Sequence, residues 1–141
     1  MLENGSLREG GVSQTTDSSS EEGLFNCVVD TTARRVTVSF GRNVSVADVA
    51  RYVKTIKEDP DFESTFAEIV DLTAAEQIDL QVKEFLNLAD YVDPFSRHAK
   101  RAFVIRTPMQ EHAARLHKIL RGEQNIEIFS SFGEAEEWVS S

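Results

Sequence analysis

The chain has 141 residues, 40% of them hydrophobic and nine of them Phe, which is enough apolar material for one domain with one buried core. Its formal net charge of −9 argues against nucleic-acid binding, because such a surface needs Lys and Arg concentrated on one face. Cys27 is the single cysteine, which excludes an internal disulfide and a zinc site built on several cysteines.

Residues 1–23 form a polar leading segment with few large apolar side chains. Such a segment buries too little surface to offset its ordering entropy, so we expect a disordered tail. It has no apolar stretch typical of a signal peptide, and no later run approaches the roughly 20 apolar residues that span a bilayer. The sequence therefore predicts a cytoplasmic chain without a membrane span, with one domain at residues 24–141.

The domain opens with a predicted β-hairpin. Residues 24–31 and 36–40 are rich in β-prone side chains and are separated by a short turn at 32–35. In the second strand, apolar and polar residues alternate, which predicts that one face is buried. The inward residues are Val36, Val38 and Phe40.

A helix is predicted after the hairpin. Ser45 has the side chain of an N-cap, and Asp48 lies in the first turn, where a carboxylate stabilises the helix. The helix should end at Asp59, because Pro60 pushes the residue before it out of the α region. Its apolar stripe is predicted at Val46, Val49, Ala50, Val53 and Ile56.

Three further strands are predicted at residues 67–72, 101–106 and 126–129, each followed by a helix. The helix after the first of them has apolar residues at helical spacing. These residues are Val82, Phe85, Leu86 and Ala89. The resulting order, β-β-α-β-α-β-α-β-α, predicts an α/β domain with a mostly parallel sheet and an antiparallel N-terminal hairpin at its edge.

The last two helices have clear boundary signals. Thr107 and Gln110 form the pattern of a capping box, with a proline at the first helical position, and Gly122 ends that helix. Its inner face is predicted at Met109, Ala113, Leu116 and Leu120. The final helix begins near Ser131, which forms a second capping pattern with Glu134.

Apolar anchors along residues 24–139 resemble the bacterial SpoIIAA-like family, within the STAS and CRAL-TRIO-like fold group. The resemblance implies a small sheet covered by helices that serves as a docking or regulatory module. The residues that carry it are Asp59-Pro60-x-Phe62 with Phe66, the stretch Ile69-Val70-Asp71-Leu72-Thr73, Arg101-x-Phe103-x-Ile105, and Phe129 with Glu134-Ala135-x-x-Trp138.

Relatives with this fold that antagonise anti-sigma factors have an Asp-Ser pair, then a small residue and Gly, at the start of the second helix. Phosphorylation of that Ser adds charge where a partner docks. Here Asp79 keeps the acidic position, but Leu80 replaces the phosphoacceptor and Val82 replaces the glycine. The resemblance therefore implies a module without the serine phospho-switch. Thr73 is a displaced acceptor or, more commonly for such a residue, a strand-ending Thr that satisfies local backbone groups.

Two functional hypotheses from different classes follow. In the first, the domain binds a protein partner, or a second copy of itself as a homodimer, through the second helix and the loop before it. The candidate docking residues are Thr73, Asp79, Leu80, Gln81, Lys83 and Glu84. In the second, the domain carries a lipid or another small apolar ligand. The candidate pocket residues, which could equally fill the core, are Phe62, Phe66, Phe85 and Phe95.

Catalytic, metal and cofactor sites are not predicted, so we expect a binding protein and no enzyme. His112 and His117 lie about 140° apart around a helix and cannot share a metal. Cys27 is expected to be a buried structural thiol.

A basic cluster at residues 97–101 is either a docking patch or a solvated loop. Polar residues at the carboxyl ends of the strands have two interpretations, an anion-binding site or, more simply, helix caps. The residues there are Thr73, Thr107, Ser130 and Ser131.

Overall fold

The computed structural model describes residues 12–16, 25–79, 93–122 and 125–141. The described residues form eight strands and three helices. The strands are β1 Val12–Thr16, β2 Phe25–Asp30, β3 Arg35–Phe40, β4 Asn43–Ser45, β5 Ala67–Asp71, β6 Gln77–Asp79, β7 Arg101–Val104 and β8 Ile126–Phe129. The helices are α1 Val46–Glu58, α2 Pro108–Leu120 and α3 Phe132–Ser140.

Six of the strands form one sheet in the order β1-β2-β3-β5-β7-β8. β1, β2 and β3 pair antiparallel, whereas β3, β5, β7 and β8 run parallel. The predicted α/β architecture and the β2–β3 hairpin are therefore confirmed. The helix predicted around Val82, Phe85, Leu86 and Ala89 lies outside the described residues.

β1 was not predicted. Residues 1–23 were expected to be a disordered tail, but Val12–Thr16 pairs along its length with β2 and replaces the hairpin as the edge of the sheet. Its sequence is polar, so hydrophobic patterning gave no signal, whereas the pairing satisfies backbone groups that β2 would otherwise expose. The rest of that predicted tail lies outside the described residues.

A second, two-stranded sheet was also missed. β4 and β6 pair in parallel, with Asn43 opposite Gln77 and Ser45 opposite Asp79. Strands of three residues are too short to show a hydrophobic period, and their pairing depends on contacts between distant parts of the chain. The pair fixes the chain after β5 beside the start of α1.

The core lies on both faces of the large sheet. On one face, α1 and α2 cover a cluster that includes Val36, Val38 and Phe66, all at most 1% exposed. On the other face, α3 packs Ala135 against Ile69 and Ala102. Alternate residues of β5 and β7 therefore point into two separate apolar layers, which is why both strands are almost continuously buried.

Predicted helix boundaries match the structure, but two helix faces are rotated from their predicted positions. Ser45, Thr107 and Ser131 are N-caps, and α2 is followed by Gly122 with a φ of 81°. In α1, however, Ala50 is exposed and Tyr52 is buried. In α2, Met109 is 39% exposed and Gln110 is fully buried. The apolar pattern did not predict these faces, because Tyr52 and Gln110 have polar side chains that are buried with hydrogen-bond partners inside the fold.

Candidate functional site

The candidate site is at the edge where the parallel strands β3, β5 and β7 end. The chain leaves β5 at Asp71, passes through β6 and reaches Asp79 along this edge. We call residues 72–79 the edge loop. Ligands and partners of open α/β sheets commonly bind at this edge, because loops and helix N-termini converge there.

Thr73 belongs to a tight local turn. The Asp71 Oδ1 atom accepts hydrogen bonds from the Thr73 N–H at 2.9 Å and from the Thr73 hydroxyl at 2.7 Å. A carboxylate that accepts from the backbone two residues later is a common turn-forming device. Thr73 therefore has the local structural role that was the simpler alternative for it.

Gln110 holds the edge loop from the inside. Its Nε2 atom donates to the Ala75 carbonyl at 2.8 Å and to the Thr73 carbonyl at 3.4 Å. Its Oε1 atom accepts from the backbone N–H groups of Arg106, at 2.6 Å, and Thr107, at 3.2 Å. One buried amide thus completes the capping box of α2 and fixes the edge loop to that helix.

Two further contacts hold the outer part of the edge loop. The Arg106 guanidinium donates to the Thr73 carbonyl at 2.6 Å. The Arg42 carbonyl accepts from the N–H groups of Glu76, at 2.7 Å, and Gln77, at 2.9 Å. The exposed ion pair between the side chains of Arg42 and Glu76, at 3.3 Å, adds little because water screens it.

The edge loop is exposed on its outer side although it is anchored on its inner side. Ala75 is buried, whereas four neighbours face solvent. The exposed residues are Ala74, Glu76, Gln77 and Asp79. Of the predicted docking residues, Thr73 is half-buried and Asp79 is exposed. The other four lie outside the described residues, namely Leu80, Gln81, Lys83 and Glu84.

A buried charged network, which no sequence pattern indicated, occupies the opposite end of the sheet. The Glu68 carboxylate accepts from the Tyr52 hydroxyl at 2.5 Å and from the Arg101 Nε atom at 2.9 Å. Arg101 also forms two hydrogen bonds with the Asp93 carboxylate, at 2.7 and 3.1 Å, and lies over the Phe95 ring. Arg121 approaches the same carboxylate at 3.5 Å. The network joins α1, β5, β7 and the end of α2.

Burial and neighbouring charges shift several pKa values in this network. Burial and the Glu68 carboxylate raise the pKa of Tyr52 well above its usual value, so the phenol stays protonated. Burial lowers the pKa of Arg101, but Glu68 and Asp93 outweigh it and hold the pKa above its ordinary value. Burial, with Arg101 and Arg121, lowers the pKa of His117 well below its usual range, which leaves this imidazole neutral.

The basic cluster at residues 97–101 does not form a single patch. Arg97 and His98 are exposed. Lys100 donates to the Trp138 carbonyl at 3.1 Å and to the Ser141 carbonyl at 2.9 Å, and its ammonium lies 5.3 Å from the Trp138 ring centre. Arg101 is buried in the charged network. A docking patch made of the whole cluster is therefore excluded.

The aromatic residues predicted to line a pocket fill the core where the structure describes them. Phe62 packs edge-to-face against Phe66 and Phe95, with ring centres 6.0 and 5.2 Å apart. Phe85 lies outside the described residues. A cavity of about 60 Å³ occurs elsewhere, between α1 and α2 over β5. Its described lining comprises Phe40, Val44, Val49, Tyr52, Glu68, Val70, Leu72, Ile78, Phe103, Ala113 and His117.

The remaining candidates for chemistry are structural. Burial, with smaller contributions from Asp59 and Glu68, raises the pKa of the Cys27 thiol to about 12, so the thiolate nucleophile is suppressed. His112 is exposed, while His117 packs against the Phe103 ring with its Nε2 atom buried. Among the residues that the structure describes, no three metal-ligating side chains come together.

Two solved structures share this architecture. One is an uncharacterized protein of the DUF3478 family with a SpoIIAA-like fold from Shewanella loihica PV-4, with a TM-score of 0.53 and 12% identity over 91% of this chain and 93% of the other. The other is an anti-sigma factor antagonist from Mycobacterium paratuberculosis, with a TM-score of 0.53 and 13% identity over 94% and 97% of the two chains. The fold is SpoIIAA-like. The sequence-based resemblance is thus confirmed for the fold.

Sequence comparisons add no closer relationship for this SpoIIAA-like domain. No protein-family model matches the chain, and no curated protein is significantly similar to it. In the described part of the chain, each helix is too short or too polar to cross a membrane.

Proposed function

We propose that this SpoIIAA-like domain is a non-catalytic, cytoplasmic regulatory module that docks a protein partner through the edge loop and the residues that follow it. The observation that carries the proposal is the contrast between the two sides of the edge loop. Gln110, Arg106 and Arg42 fix its backbone, whereas Glu76, Gln77 and Asp79 are exposed. A surface held in place before binding loses little conformational entropy when a partner docks.

The proposed module works without the serine phospho-switch. Leu80 stands where the related antagonists have their phosphoacceptor. The Thr73 hydroxyl donates to Asp71, so a phosphate there would place two negative groups together and break the turn. Docking is therefore controlled by the availability of the partner or by another part of the chain.

The edge loop favours a partner with basic groups. Glu76 and Asp79 are exposed acidic residues on it, and the whole chain has a formal charge of −9. Complementary charge across an interface speeds association and rejects wrong partners. A homodimer through the second predicted helix stays a prediction, because that helix lies outside the described residues.

The lipid-carrier alternative has less support. Phe62 packs against both Phe66 and Phe95, and the cavity over β5 measures about 60 Å³. Pockets that hold drug-sized ligands start at about 300 Å³. The carrier hypothesis would require a larger cavity than this one.

Site-specific photocrosslinking in the host cell tests the docking proposal. A benzophenone amino acid replaces Gln77 on the edge loop and, as a control, Ala33 in the β2–β3 turn at the other end of the sheet. Both positions are exposed. We expect a discrete protein adduct from position 77 and none from position 33. No adduct at position 77, or the same adduct from both positions, would contradict the proposal.

A further inference from the structure

β1 is attached to the sheet through one neighbour. It pairs with β2 along all five residues, from Val12 opposite Asp30 to Thr16 opposite Asn26. Within the described residues, β2 is the element with which β1 has extensive contact, whereas β2 also packs against α1 and pairs with β3. Backbone hydrogen bonds to a single strand therefore hold β1 in place.

β1 and β2 differ in the polarity of their residues. β1 has the sequence Val-Ser-Gln-Thr-Thr, which has no charge and one large apolar residue. In β2, Phe25, Cys27 and Val29 are 4%, 1% and 2% exposed. A free β2 edge would present a row of N–H and C=O groups on a β-prone apolar strand, and such an edge recruits another strand.

We propose that the β2 edge is a strand-docking site that β1 occupies and blocks within the same chain. When β1 is displaced, the site takes an extended, uncharged or basic peptide segment of a partner. β1 itself shows which chemistry fits the edge, and the net charge of −9 disfavours an acidic peptide. This surface is separate from the edge loop, so the inference does not rest on the function proposed above.

The arrangement makes β1 an intramolecular competitor. Eight residues separate β1 from β2, so β1 faces the edge at an effective concentration on the order of millimolar. A free peptide of equal affinity therefore binds poorly until β1 is weakened. Because the β1 sequence has one large apolar residue, we expect its release to leave the core between α1 and the sheet in place.

Direct peptide binding tests the site. The probe is a synthetic peptide of residues 11–17, which is the β1 segment with one residue on each side, with fluorescein at its amino terminus. Its binding is followed by fluorescence anisotropy. The protein is the full chain with Ser13→Pro and Gln14→Pro. Since neighbouring residues of an antiparallel strand direct their N–H groups to opposite sides, one of the two prolines removes a bond to β2.

We expect the peptide to bind the proline variant at least tenfold more tightly than it binds the unmodified chain. A control peptide with Ser13→Pro and Gln14→Pro, which loses a bond to β2, should bind the variant at least tenfold more weakly than the unsubstituted peptide. Equal binding to the two proteins, equal binding by the two peptides, or no binding to the variant would overturn the proposal.

The full chain with Thr15→Cys provides a second measurement. Residues directly opposite each other in an antiparallel pair are close enough to be bridged, so oxidation should give an internal bond between positions 15 and 27. The locked protein should then fail to bind the fluorescent peptide. A disulfide-linked dimer, or peptide binding by the locked protein, would overturn the placement of β1 on its own β2 strand.

Discussion

Gln110 shows how one side chain can determine a local surface. It is fully buried, yet its amide bonds to four backbone groups that belong to the edge loop and the start of α2. Replacing it with Ala leaves some of these groups buried without partners. The free energy of unfolding should therefore fall by about 1–3 kcal/mol, measured by urea denaturation.

An exposed glutamine on the edge loop gives the matched control for this prediction. Gln77→Ala removes a side chain of the same type from a solvent-exposed position and should change stability by less than about 0.5 kcal/mol. Equal effects of the two substitutions would mean that Gln110 does not hold the loop.

His117 gives a pH dependence with a defined sign. Its pKa is lowered in the folded state, so the unfolded chain binds the proton more readily. The contribution of this group is fully present above about pH 6.5 and is lost as the pH falls below that value. Between about pH 6.5 and 5, the free energy of unfolding should decrease by up to about 1.4 kcal/mol per pH unit.

Two variants separate His117 from the other titrating groups. His117→Gln should flatten the pH dependence in this window, whereas His112→Gln, at an exposed position, should leave it unchanged. Denaturation curves at several pH values measure both slopes. An unchanged slope in His117→Gln would show that the imidazole is not held neutral in the folded protein.

Single residues also mark where sequence-based prediction reached its limit. Thr73 was placed correctly at the carboxyl edge, because parallel strands bring their ends together, whereas Asp79 was matched to the start of the second helix and is the last residue of β6. Gln110 was predicted as part of a cap, but its bonds to the Thr73 and Ala75 carbonyls span more than 30 positions of sequence. No local pattern reports such a contact, so the anchoring of the edge loop was not foreseeable.

At the level of helices and strands, sequence patterns predicted the features that depend on residues close together in the chain. The caps at Ser45 and Thr107 and the alternation in β3 depend on neighbouring residues, and the structure has them as predicted. β4 and β6 pair with each other across more than 30 positions of sequence, and β1 is a polar strand without a hydrophobic pattern. All three were missed. The rotated face of α1 has the same origin, because Tyr52 is buried by its bond to Glu68, 16 positions away.

The charged network joins elements, and its energetics should be strongly non-additive. Glu68→Leu leaves Arg101 buried with one carboxylate fewer, and we expect a loss of about 3–5 kcal/mol in the free energy of unfolding. Arg101→Met leaves Glu68 buried without its cation and should cost a similar amount. The double variant removes both charges together and should be at least about 1 kcal/mol more stable than the sum of the single effects predicts.

A double-mutant cycle by denaturant unfolding measures this coupling. Arg42 and Glu76 form an exposed ion pair that serves as the control cycle, with an expected coupling below about 1 kcal/mol. Additive effects of the substitutions at Glu68 and Arg101 would contradict the view that the network acts as one unit.

For the whole molecule, the two ends of the sheet have different roles. At the amino ends of β5 and β7, buried charges tie α1, the sheet and α2 together. At the carboxyl ends, the edge loop is anchored on its inner side and exposed to solvent on its outer side. A buried charged network at one end and an exposed surface with an anchored backbone at the other suit the docking role proposed above.

The most direct test of this account is a comparison of two charge-reversal variants in affinity purification from the host. Glu76→Arg with Asp79→Arg changes the edge loop. Glu58→Arg with Glu63→Arg changes two exposed acidic residues at the opposite end of the sheet, one of them paired with Arg34 as Glu76 is with Arg42. A partner retained by the unmodified chain should be lost at least tenfold from the edge-loop variant and kept by the control. Equal retention by both variants would contradict docking at the edge loop.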